Sequence, residues 1–134
     1  MLNTQYQYKL TEAGCDEVGR GCIAGPVVAA AVILPADYEN KLIIDSKKLS
    51  QKKRKEIGQE IIDNATSWSI SEVSNKKIDE INILNASILA MHRSLDKLKV
   101  RPEFIIVDGN KFKPYRNIIH ECIIKGDNKF QNIA

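Results

Sequence analysis

The sequence predicts an α/β domain, and three observations carry that prediction. A near-continuous apolar run, PVVAAAVIL over residues 26–34, has the length and composition of a strand buried on both faces. Ile81, Leu84, Ile88, Met91, Leu95 and Leu98 recur at steps of three and four, the period of an amphipathic helix. Strand-like and helix-like segments also alternate along the chain instead of segregating. At 134 residues, 43% hydrophobic and 28% charged, the chain suits one globular domain over residues 1–134 with a real core.

Taken in order, residues 8–15 read as a first strand and residues 26–34 as the second. A turn over residues 35–40 and a short extended piece over residues 42–44 follow. Ser50 is placed to cap a helix running to about Asn64 and burying Ile57, Ile61 and Ile62. Trp68, Ile70 and Val73 suit a short strand, and a long helix spans residues 76–98. EFIIV over residues 103–107 is a strand ending in Asp108, Gly109 and Asn110. Residues 118–124 form the last strand, leading to Lys125, Gly126 and Asp127.

Composition narrows the function classes. The net charge of +3 is compatible with a polyanionic partner without requiring one. Three cysteines, Cys15, Cys22 and Cys122, form no CxxC pair and fit a reducing, cytoplasmic setting. The polar N-terminus is unlike a signal peptide, and no apolar run is long enough for a membrane span. Neither His92 nor His120 sits in a zinc-ligand spacing, so both read as structural. Cys15 is a poor nucleophile beside two acids.

The acids are more informative. Asp16 and Glu17, Asp108 and Asp127 each fall at or just past the end of an expected strand, where α/β sheets assemble their sites. Clustered carboxylates repel one another, and a divalent cation with hard oxygen ligands removes that penalty. A strand-end Asp before Gly is also ordinary turn chemistry, so spacing alone leaves both readings open. Residues 47–55 hold six positive charges, which suit either a solvated helix start or contact with phosphates.

DEVGRG (residues 16–21) followed by AGPVVAAAVIL (residues 24–34) resembles the N-terminal signature of the ribonuclease HII family. DSKKLS, IDEINILNASILAMHRSL, IIVDGN and KGD follow in family order, at residues 45–50, 78–95, 105–110 and 125–127. The resemblance implies an RNase H-like fold, a mixed five-stranded sheet flanked by helices. It implies that Asp16, Glu17, Asp108 and Asp127 form one site holding Mg2+ or Mn2+, with two ions when substrate is bound. Because side chains alternate along a strand, joining Asp16 and Glu17 in one site requires the backbone there to depart from regular alternation.

The implied substrates are RNA–DNA hybrids and DNA duplexes containing single ribonucleotides, cut on the 5′ side to leave 3′-hydroxyl ends. Gly19, Arg20 and Gly21 match the family's GRG block, whose backbone approaches the ribonucleotide. Ser46, Lys47 and Asn82 are expected to contact the nucleic-acid backbone. The family pattern continues past the KGD block into further helices, one carrying a tyrosine for which Tyr115 is no counterpart. The chain is therefore expected to lack the C-terminal helices, with reduced stability and activity. The alternative is a non-catalytic fragment that binds hybrids but has an incomplete metal site. A sliding clamp has no support in this chain.

Overall fold

The computed structural model describes residues 6, 10–18, 26–35, 50–109, 111–123, 126, 129–130 and 132–133. Five strands form one sheet: β1 (Glu12–Val18), β2 (Val27–Ile33), β3 (Ser67–Val73), β4 (Phe104–Asp108) and β5 (Ile119–Ile123). Their spatial order is β3-β2-β1-β4-β5. β2 runs antiparallel to both β1 and β3, whereas β4 runs parallel to both β1 and β5. Helix α1 (Gln51–Asn64) joins β2 to β3, and helix α2 (Asn75–Lys97) joins β3 to β4. The expected α/β class and mixed five-stranded sheet are both present.

Alternation along the strands divides the molecule into two layers. Ala13 and Cys15 of β1, Ala29 and Ala31 of β2, and Ile105 and Val107 of β4 face α2 and pack with Met91 and Leu95. β3 meets the same helix with serines. Its buried positions are Ser67, Ser69, Ser71 and Val73, while Trp68 and Ile70 are 41% and 54% exposed. Small residues on both partners let α2 approach the sheet closely, and their hydroxyls, that of Ser71 apart, find partners. Ser94 Oγ donates to the Ala29 carbonyl at 3.0 Å, and Ser69 Oγ donates to the Ser94 carbonyl. The strand expected around Trp68, Ile70 and Val73 is present, and Trp68 and Ile70 face outward because closeness to the helix selects size over hydrophobicity.

The expectation for β2 is corrected. Only its alternate residues are fully buried, so the run is half-covered on its second face instead of buried on both. There α1 buries only Ile57; Ile61 is half-buried, and Ile62 is 43% exposed. The helix starts where expected: Ser50 accepts the Lys53 N–H at 3.2 Å. The first strand, described from Glu12, runs to Val18, past the expected end at residue 15, and residues 8–9 and 36–44 lie outside the described residues.

As an edge strand, β3 is protected by cations from α2. Lys97 Nζ donates to the Ile70 carbonyl at 3.0 Å and Arg93 to the Glu72 carbonyl at 3.3 Å. Charged side chains on exposed strand carbonyls discourage pairing with another chain.

The end of α2 is tied to the β4–β5 connection by polar contacts. Tyr115 Oη donates to Asp96 Oδ1, and Arg116 donates to the same oxygen at 2.9 Å. Burial acts to raise the Asp96 pKa, but the hydrogen bonds from Tyr115 and Arg116 and the charges of Arg116 and Arg101 outweigh it and lower the pKa. The contribution is therefore present above the ordinary aspartate pKa of about 3.9 and is lost as pH falls through the lower folded value. Asp96→Asn is expected to cost under about 1 kcal/mol near neutrality, the range of exposed ion pairs. Between pH 5 and pH 2 the wild-type melting temperature should fall further than that of Asp96→Asn. Parallel pH curves in thermal melts would contradict this.

Candidate active site

The site is set by where one ladder stops. β1 and β4 pair from Glu12↔Phe104 to Cys15↔Val107 and no further, so Asp16 and Asp108 are the first residues beyond the last pair. β1 is antiparallel to one neighbour and parallel to the other, and the sheet opens here at the C-terminal ends of β1 and β4. Ligands bind at such switch points in open α/β sheets.

Glu17 and Asp108 line one cleft of about 220 Å3 with Ser87, Ile88 and Met91 of α2 and Lys111. Asp16 lines a second cavity of about 200 Å3 on the opposite face, with Gly14, Ala30, Ile61 and Asn132. The β1–β2 ladder is unbroken from Gly14↔Val32 to Val18↔Val28. The expected break in alternation is thus absent. Regular pleating sends the two adjacent acids to opposite faces, although both remain at the same sheet end. Asp16 Oδ1 accepts the Glu17 N–H at 2.7 Å.

Asp108 is oriented by the segment after β5. Its Oδ1 accepts the Gly126 N–H at 2.7 Å, while the Gly109 N–H donates to the Ile123 carbonyl at 2.9 Å. A Cβ at Gly126 would come within 2.6 Å of Ile133 Cδ1, so a side chain there would require the Ile133 side chain to move. Asp127, the next residue, lies outside the described residues, as do Gly19, Arg20, Gly21, Ser46 and Lys47.

Asn82 is described, and it corrects the expectation of one unbroken helix. Its backbone, at φ 68° and ψ 169°, interrupts α2. Its Oδ1 accepts the Asn85 N–H at 3.0 Å and so caps the helical stretch that follows. A non-glycine residue in this region is strained, by about 1–3 kcal/mol. Such strain is commonly found at functional sites.

The other polar candidates are structural. His92 Nε2 donates to the Lys113 carbonyl at 3.0 Å and packs edge-on against Phe112 and Tyr115; His120 also meets Phe112 edge-on. Burial, then the charge of Asp16, pushes the Cys15 thiol far up, which removes it as a nucleophile. Lys52, Lys53, Arg54 and Lys55 are solvent-exposed on α1. Lys111 and the Gly126 amide were not anticipated from the sequence. Only the position of Lys111, three residues past Asp108, hinted at its place in the cleft.

The donors at this sheet end are hard carboxylate oxygens, the type that Mg2+ and Mn2+ take. Among the described residues, no three His, Cys, Asp or Glu side chains come together as a metal-holding group. The donor chemistry fits such an ion, and a closed cage is not present among those residues.

A family model described as ribonuclease HII matches residues 13–134. The chain belongs to the ribonuclease HII family. It is 59% identical over its whole length to a ribonuclease HII of Christiangramia forsetii and 56% identical to one of Bacteroides fragilis. In each case it spans 67% of the relative, so the chain is about two thirds as long as these proteins. The ribonuclease H2 of Pyrococcus horikoshii superposes with a TM-score of 0.75 at 25% identity, covering 91% of this chain and 66% of that one. A ribonuclease HII from Archaeoglobus fulgidus, solved as a complex with PCNA, gives 0.69 at 29% identity, covering 92% and 67%. The RNase H-like fold and the hydrolase class expected from the sequence are therefore both borne out at the level of the family. No helix among the described residues of this ribonuclease HII family member is long and apolar enough to cross a membrane.

Proposed function

We propose that the chain acts as a metal-dependent endoribonuclease in the cytoplasm. It would cut the RNA strand of RNA–DNA hybrids and the 5′ side of single ribonucleotides embedded in duplex DNA, leaving 3′-hydroxyl ends. The observation that carries this reading is the shared cleft of Glu17 and Asp108, at the sheet end where β1 and β4 part, in a member of a ribonuclease family.

Asp16, Glu17, Asp108 and Asp127 are the carboxylates assigned to hold Mg2+ or Mn2+. When bound, such ions activate the attacking water and stabilise the leaving oxygen in phosphodiester cleavage. Asp108, with one oxygen fixed by the Gly126 amide, presents its charge in a constant direction. Lys111 supplies a cation at the same cleft, suited to a phosphate next to the one being cut. Gly19, Arg20 and Gly21 are assigned to the ribonucleotide junction, and Ser46, Lys47 and Asn82 to the nucleic-acid backbone. A sliding clamp as a further partner is supported only by the Archaeoglobus neighbour.

The test is cleavage of a labelled DNA duplex containing one ribonucleotide, with an all-DNA duplex as control, in Mg2+, in Mn2+ and in chelator. Metal-dependent cutting beside the ribonucleotide alone is the expected result. The alternative reading is a fragment that binds hybrids without cutting. Binding without cleavage, weakening steeply as salt rises, would select it.

A further inference from the structure

Glu12 is the one acid among the described residues that is almost fully buried, at 1% exposure, and nothing in the proposed reaction uses it. It sits on the face of β1 that also carries Gly14 and Asp16, because positions 12, 14 and 16 share one side of the strand. Glu12 Oε2 accepts the Asn132 Nδ2–H at 2.9 Å and the Tyr6 N–H at 2.7 Å. The carboxylate thus ties the chain before β1 to the segment after β5.

A chain of contacts leads from this clamp to the cleft. The Asn132 backbone lies directly on Gly14, close enough that a Cβ at Gly14 would overlap the Asn132 carbonyl. Ile133, its neighbour, packs with Phe104 and Ile106 of β4 and lies against Gly126. Gly126 in turn donates to Asp108. We propose that Glu12 is a positioning residue: by holding Asn132 across β1, it keeps Gly126 on Asp108 and so fixes the carboxylate at the mouth of the cleft. This inference rests on the metal-dependent reading for its effect on catalysis, but not for its effect on Gly126.

Glu12→Met keeps the approximate size of the side chain but leaves no oxygen to accept from either donor. Amide hydrogen exchange at Gly126, read by NMR, is expected to rise by about tenfold or more. The Mg2+ concentration for half-maximal cleavage should rise by about 10-fold to 100-fold, the cost of losing a group that supports a metal ligand. Turnover at saturating Mg2+ should stay within about twofold of wild type, as expected when positioning and not chemistry is lost. Asn132→Ala opens the same clamp from its other side, leaving the core strand untouched, and should behave alike. Ile57→Ala, a buried change on α1, serves as a destabilised control.

Wild-type Gly126 exchange in both clamp variants would overturn the inference. It would equally be overturned if Ile57→Ala moved Gly126 exchange and the Mg2+ requirement as far as Glu12→Met does. A wild-type chain that cuts nothing would overturn the endoribonuclease reading instead, and the Gly126 exchange would still decide the role of Glu12.

Discussion

Asp108→Asn is expected to lower cleavage of the ribonucleotide-containing duplex by more than about 100-fold. That figure is the upper end of what losing a mere supporting partner costs a metal site, and Asp108 is assigned as a ligand itself. The substitution keeps the shape of the side chain and an oxygen able to accept the Gly126 N–H. It removes the negative charge that makes the group a ligand for a hard cation. Melting temperature should therefore change little while single-turnover cleavage collapses. Cleavage within tenfold of wild type would remove Asp108 from the reaction.

Gly14→Ala should be the more damaging change for the fold. The added methyl would meet the carbonyl group of Asn132, a backbone atom that no rotamer change can move aside, and would come within 2.9 Å of Asn132 Cγ. Either β1 shifts in a ladder paired on both sides, or the segment around Asn132 lifts from the sheet. Overpacking of this kind costs about 1–3 kcal/mol, and detachment of the segment sets the ceiling. Thermal or urea melts would show it as a loss of stability accompanied by faster exchange at Gly126. An unchanged midpoint would mean that Asn132 is not held on β1 in solution.

Much of the frame was legible because it rests on local rules. The Ser50 cap, the body of α1 and the extent of β2 follow from capping chemistry and hydrophobic period, whereas the five-stranded sheet was implied by the family resemblance. What the sequence hid was decided by tertiary contact. The apolar period of α2 runs straight through Asn82, so nothing in it signals the break there. The alternation of β3 is plain, but its large residues face outward because α2 lies too close for them.

The site divides along the same line. The family blocks pointed to the four acids, and spacing set them at expected strand ends; Asp127 lies outside the described residues. The cleft's Lys111 and the role of the Gly126 amide depend on how the chain returns after β5, which no local pattern records. Regular pleating at Asp16 and Glu17 ran against the expected irregularity, since the ladder to β2 holds both residues in register.

The parallel pairing of β1 with β4 also has a consequence in time. β1, β2, β3 and α2 are contiguous in the order of synthesis and can meet before β4 exists, whereas the β1–β4 ladder joins segments separated by most of the chain. Pairing of that kind bears its loop-closure entropy before any contact rewards it. Glu17 is thus in place early and waits for Asp108. A growing chain therefore acquires the scaffold of the cleft well before it acquires the second of the two acids that line it.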